Sequence, residues 1–171
     1  MSQRPIAEIN SLARDEFVGV IGPVFEHSPW IADETWPKRP FACVEKLHAQ
    51  LCETVNVAAQ EKQLALICAH PDLVGKVALT GQLTKESTNE QASAGLTRLT
   101  LEEIALFQKQ NNAYDKKFAF PFVICARLNK KAAILDGFER RLKNSREQEI
   151  KTALEEIFKI AELRLRDLIA D

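Results

Sequence analysis

No stretch of this chain stays apolar for the roughly 18–20 residues a bilayer crossing needs, and the opening MSQRPIAEIN has no apolar signal-peptide core. The closing LIAD is not an SKL-type peroxisomal address. The expectation is a cytoplasmic protein without a membrane partner. Excess charge of one sign is also missing: Lys plus Arg number 23 and Asp plus Glu 24, which argues against a nucleic-acid partner. The four cysteines (Cys43, Cys52, Cys68 and Cys125) form no C-x-x-C pair, so they are expected as reduced core residues, neither a disulfide frame nor a zinc site. The three histidines stand in no H-x-x-x-H or H-E-x-x-H spacing, and no metal site is expected. G-x-G-x-x-G, Walker A and G-x-S-x-G are absent, which removes the common dinucleotide, phosphate and serine-nucleophile motifs.

What remains is a chain of 171 residues, 46 % apolar and 27 % charged, long enough to bury a core as one domain spanning 1–171. Hydrophobic periodicity predicts helices almost throughout. They are expected near 13–25, 41–59 and 60–69, with a short segment around 31–36 between the first two; the last stops before Pro71 because a residue preceding proline avoids the α region. A Gly75–Gly81 loop follows, and Ser87 is expected to open a helix to about Ala94 with Gly95 as C-cap. Thr100-Leu-Glu-Glu103 is a capping box for a helix toward Tyr114, and Ser145-Arg-Glu-Gln148 another for the last helix, to about Ile169. A further helix is expected near 130–142. The apolar run Phe118-Ala-Phe-Pro-Phe-Val-Ile-Cys has no helical period and contains Pro121, so it reads as a buried extended piece near 118–125. The fold class is all-α: a single-domain, irregular helical bundle with one extended segment.

A few polar residues break these patterns. Arg164 falls inside the apolar arc formed by Ile150, Ala153, Leu154, Ile157, Ala161 and Leu168, where a guanidinium needs an anionic partner. That partner is either a buried Asp or Glu or a ligand oxygen. Arg166 points the opposite way, into solvent. His48 sits in an apolar stripe and is expected to be a hydrogen-bonded core residue. His27 sits at a turn and is a candidate cation at a helix C-terminus. His70 ends an apolar helix beside a glycine loop, where a side chain borders either a cleft or the core. Ser87 and Glu90 fit a capping box, a purely structural role, yet a capped N-terminus still offers amides and a positive dipole end to an anion. Gln91 adds an amide that donates and accepts.

The chain resembles the OHCU decarboxylase family of urate breakdown. The likeness runs from about Phe17 to Leu168. It is carried by Phe25-Glu-His-Ser-Pro-Trp-Ile-Ala, Trp36-Pro-Lys-Arg-Pro-Phe, Ala69-His-Pro-Asp-Leu-Val-Gly, Leu83-Thr-Lys-Glu-Ser, Glu90-Gln-Ala-Ser-Ala-Gly-Leu, Asn112-Ala-Tyr, Phe120-Pro-Phe and Ile160-Ala-Glu-Leu-Arg-Leu, in that order. The resemblance implies an all-α homodimer that works without metal or organic cofactor on one small molecule, 2-oxo-4-hydroxy-4-carboxy-5-ureidoimidazoline (OHCU), to give (S)-allantoin. It implies His70 and Glu90 as catalytic residues. Pro71, Ser87, Gln91, Phe122, Val123, Ile124 and Arg164 are implied as substrate contacts, those at 122–124 through their backbone. Lys117 and Ala119 stand where the family pattern has Arg and Gly, so Ala119 is expected to avoid positive φ. Two other readings compete: a non-catalytic helical interaction module, in which each polar residue is structural, and a hydrolase acting on 5-hydroxyisourate.

Overall fold

The structure, a computed structural model, describes residues 3–75 and 81–170. In chain order the elements are β1 (Arg4–Pro5), α1 (Ile6–Ser11), α2 (Arg14–Ile21), α3 (Trp30–Thr35), α4 (Val44–Asn56), α5 (Gln60–Cys68), α6 (Lys85–Ser93), α7 (Leu101–Phe118), α8 (Lys131–Arg141), α9 (Arg146–Leu168) and β2 (Ile169–Ala170). The all-α expectation holds: the strands are two residues each, paired in parallel between Arg4 and Ile169 and between Pro5 and Ala170. The interior of the Gly75–Gly81 loop, residues 76–80, lies outside the described residues.

The chain divides into two compact units, one made of residues 1–69 and 158–171, the other of residues 70–157. In the first, α4 buries Val44, Leu47, Leu51 and Val55 on one stripe, at the helical spacing that the sequence predicts. Arg39 organises the Trp36-Pro-Lys-Arg motif. Its guanidinium lies 4.2 Å from the Trp36 ring centre and donates to the carbonyls of Asn10 and Leu12, each at 2.8 Å. His48 is structural, as expected: its Nε2 lies 2.9 Å from the Phe158 carbonyl and 3.3 Å from Cys52 Sγ. His27 lies on an exposed turn with φ 46°.

The second unit is built around aromatic rings. Phe107, Tyr114 and Phe118 line one face of α7, with Phe120, Phe122 and Phe138 against them. Tyr114 meets Phe122 edge-on at 5.2 Å and Phe122 stacks on Phe138 at 3.8 Å. Gly137 makes that approach possible, since a Cβ there would come within 3.3 Å of the Phe122 ring.

Three expectations need correction. Helix α6 begins at Lys85, not Ser87: Thr84 is the N-cap and its Oγ accepts from the Ser87 N–H at 3.2 Å. Ser87 is therefore the third helical residue, and the Ser87–Glu90 capping box does not exist. The cysteines are not all core residues. Cys125 is buried, Cys43 and Cys52 are half-buried and Cys68 is exposed, all as free thiols. Finally, α7 runs a turn past Tyr114 to Phe118, and Ala119 ends it in the left-handed region at φ 59°, ψ 35°. The capping boxes at Thr100 and Ser145 are both formed as expected.

Ala119 supports a prediction. A Cβ in left-handed backbone costs about 1 kcal/mol, which glycine avoids. Ala119→Gly is expected to raise the melting temperature by about 2–4 °C in a thermal melt, whereas an unchanged or lowered value would mean that the strain is relieved elsewhere. Lys117 stands in its own right: Nζ donates to the carbonyls of Leu142 at 2.6 Å and Asn144 at 3.0 Å, capping the end of α8.

Candidate active site

The second unit holds most of the residues singled out by the sequence. His70 follows directly on α5, whose C-cap is Ala69, and it is buried at 8 % exposure. Pro71, half-buried, turns the chain out of the helix, and the loop then takes a forced course. Val74 sits at φ 55°, a conformation that a β-branched residue rarely adopts. Gly75 donates to the Asp72 carbonyl at 3.2 Å, and a Cβ on it would stand 2.6 Å from Asp72 Cβ, so only glycine fits. Burial raises the Asp72 carboxyl above its ordinary value, helped by Asp115.

Helix α6 stands against this loop. Ser87, Glu90 and Gln91 occupy neighbouring positions on one face, with Ser87 and Gln91 buried and Glu90 half-buried. Gln91 Oε1 accepts the Val74 N–H at 3.2 Å, so the amide end that remains is a donor. Burial pushes the Cys125 thiol up, and Glu156 and Glu90 push it further. Helix α6 also packs against the turn Ala126–Leu128 that follows the extended segment.

The non-helical segment expected near 118–125 is present but starts later, since Phe118 still belongs to α7 and Ala119 is left-handed; Pro121 to Cys125 lies outside helix and sheet. Its course is fixed by side chains. The Val123 carbonyl accepts from Arg141 Nη1 at 2.6 Å and the Cys125 N–H donates to Glu156 at 2.8 Å. Phe122 is 1 % exposed, so its ring is core packing. Among the described residues, the backbone N–H and C=O groups of Phe122 and Ile124 enter no hydrogen bond. Unpaired backbone edges on a fixed strand present both donors and acceptors to a small planar ligand.

Arg164 belongs to the first unit, and of its two alternatives the ion pair is present. Both Nη atoms donate to Glu26 Oε2 at 3.1 Å, and Nη1 lies 3.3 Å from the Val24 carbonyl, with Glu26 and Arg164 both buried. Arg166 is exposed, as expected, and pairs with Glu45 and Glu162. No group of three His, Cys, Asp or Glu residues placed to hold a metal occurs among the described residues.

Sequence reasoning missed the buried network behind the segment. Glu149, fully buried, accepts from Tyr114 Oη, from Arg141 Nε at 2.9 Å and from Asn144 Nδ2 at 2.7 Å, while the Arg141 guanidinium lies 4.3 Å from the Phe122 ring centre. It also missed Asn111, which is buried and donates to the Leu73 carbonyl at 2.8 Å. Both carried the signal that flagged Arg164. Arg141 follows Ile134 and Phe138 on an apolar stripe, and Asn111 lies between Phe107 and Tyr114 on another.

Comparison with known proteins matches the chain to one family. The family model for OHCU decarboxylase covers residues 10–166. A 2-oxo-4-hydroxy-4-carboxy-5-ureidoimidazoline decarboxylase of Halalkalicoccus jeotgali is 39 % identical over 168 residues, covering 98 % of this chain and 93 % of its own. The enzyme of the same name from Amia calva is 42 % identical over 162 residues, 95 % of this chain and 93 % of its own. Among solved structures, an (S)-allantoin synthase superposes with a TM-score of 0.76 at 27 % identity over 98 % of this chain, which spans about half of it, 54 %. On these matches, the chain belongs to the OHCU decarboxylase family, a family of carboxy-lyases.

Proposed function

We propose that this protein decarboxylates OHCU to (S)-allantoin, with His70 as acid/base and Glu90 near the departing carboxylate. The observation that carries the reading is the bond from the Val74 N–H to Gln91 Oε1 at 3.2 Å, which ties the helix bearing Ser87, Glu90 and Gln91 to the loop bearing His70. Family membership supplies the substrate class. The proposal extends to a homodimer in the cytoplasm.

The substrate explains how the reaction runs without an organic cofactor. Its carboxylate is on C4, next to a C5=N double bond. When the C4–carboxyl bond breaks, its electron pair moves into the C4–C5 bond and on to the imine nitrogen, and CO₂ leaves. The imine nitrogen takes up a proton, the C4 hydroxyl gives up its own as that carbon becomes a carbonyl, and C5 takes a proton on one face. The net change is one CO₂ released and one proton taken up per carboxylate consumed.

An imidazole with a reference pKa of about 6.5 exchanges protons readily near neutrality, which suits His70 to the C4 hydroxyl. A carboxylate at residue 90 either disfavours the bound anion relative to the transition state or, when protonated, donates to it. Delivery of the C5 proton from one side gives the S configuration. Pro71, Ser87 and the backbone of Phe122, Val123 and Ile124 are the proposed contacts to the ring, with Gln91 and Arg164 holding carbonyl oxygens.

Gln91 has two separable jobs. Gln91→Glu keeps an oxygen for the Val74 N–H and removes the amide donor. KM is expected to rise about ten- to a hundredfold while the melting temperature holds, and an unchanged KM would take Gln91 off the substrate. The function itself is tested by adding the protein to freshly generated OHCU and following the circular dichroism of allantoin. Appearance of the (S) enantiomer faster than the spontaneous reaction is expected. A folded protein that gives no acceleration is a binding module, not an enzyme.

A further inference from the structure

We propose that Asn111 is a positioning residue for His70, acting through the peptide group that joins Leu73 to Val74. The proposal rests on the reading of His70 as the acid/base. The Leu73 carbonyl and the Val74 N–H are the two polar ends of one peptide plane, three residues past His70. Asn111 Nδ2 donates to the carbonyl at 2.8 Å, and Gln91 Oε1 accepts from the N–H at 3.2 Å. Two carboxamides, one on α7 and one on α6, therefore grip a single peptide from opposite edges and fix its rotation.

That grip is needed. Val74 is held at φ 55°, where a β-branched side chain is strained, and such a conformation persists only when its surroundings over-determine it. Gly75 closes the turn behind it, with its N–H on the Asp72 carbonyl at 3.2 Å. The loop leaves His70 through Pro71, whose ring fixes φ, so rotation of the Leu73–Val74 plane is transmitted along a short, stiff path to residue 70.

Asn111 also carries a cost. It is 7 % exposed, and its Oδ1 has no hydrogen-bond partner among the described residues. A buried acceptor left unpaired is unfavourable, and Phe107, Tyr114 and Phe118 show that the same stripe otherwise takes apolar side chains. Packing alone gives no reason for an amide here; the hold on Leu73 does. Where one member of a fold breaks its local rule and a functional loop depends on it, the exception belongs to the site.

The test uses the full chain and the variants Asn111→Leu and Asn111→Ala, with Asn112→Leu, an exposed neighbour on the same helix, as control. In whichever Asn111 variant folds, kcat is expected to fall at least about tenfold with KM within about twofold, because a misplaced acid/base slows chemistry more than binding. The NMR titration of the His70 imidazole, measured without substrate, is expected to shift. The control should match the parent protein in both. An Asn111 variant with the parent's kcat and His70 titration would overturn the proposal. The parent protein gives a further readout: the Val74 amide should exchange with solvent as slowly as helix-core amides, and fast exchange would overturn the proposal even if neither variant folds. The titration and the exchange need no turnover, so a protein inactive on OHCU would sink the decarboxylase reading while leaving this one decided.

Discussion

His70→Asn is expected to abolish measurable turnover of OHCU, a loss of about 10²–10⁴ or more, with the fold intact. Asparagine keeps a polar group of similar reach at the end of α5 but has no group that gains or loses a proton near neutrality. If His70 only held the loop, the amide would serve nearly as well. If it moves the proton of the C4 hydroxyl, the amide cannot replace it. The outcome is read as steady-state rates on freshly generated OHCU beside a thermal melt of each protein. Activity within about tenfold of the parent in a folded variant would remove His70 from the chemistry.

The largest stability effect is expected at Glu149. This carboxylate is fully buried and takes three hydrogen bonds, from Tyr114, Arg141 and Asn144. Its contact with Tyr114 and the burial of the phenol both hold that hydroxyl in its neutral form, above the ordinary range, with burial the larger cause. Glu149→Leu strands the Arg141 guanidinium, so a loss of about 3–5 kcal/mol is expected, seen as a lower denaturation midpoint and a melting temperature lower by about 10 °C. The double variant Arg141→Met, Glu149→Leu removes both charges and should recover much of that loss, since an apolar substitute for a buried pair is often neutral. It should not recover activity. Arg141 is the donor to the Val123 carbonyl, and without it the middle of the extended segment loses its side-chain anchor. A double variant as active as the parent would mean that this segment needs no such anchor.

How much of this was legible depends on the range of the interaction. The boxes at Thr100 and Ser145 are local signals and formed as written. Ser87 misled because Ser-x-x-Glu is the same signal, and it outweighs Thr84-x-x-Ser87, which lacks the reciprocal acid; the helix nevertheless starts two residues earlier, at Lys85. Ala119 misled in the opposite direction. Its side chain argues against positive φ, but the buried faces of Phe118 and Phe120 on either side fix where α7 must stop, and the backbone takes the strain.

The polar anomalies were legible as anomalies. Arg164 announced that it needed an anion, yet Glu26 stands 138 residues away and nothing local links them. Asn111 and Arg141 interrupt apolar stripes in the same manner, and the rule that flagged Arg164 would have flagged both. The Val123 carbonyl and the Leu73–Val74 peptide were out of reach, because backbone groups leave no mark in a sequence and their partners sit on other helices.

The most direct measurement uses OHCU labelled with carbon-13 in its carboxyl group. The account predicts labelled CO₂ and (S)-allantoin appearing together, one for one and faster than in buffer, with the acceleration lost in His70→Asn. Loss of OHCU without labelled CO₂, or racemic allantoin formed at the spontaneous rate, would contradict it.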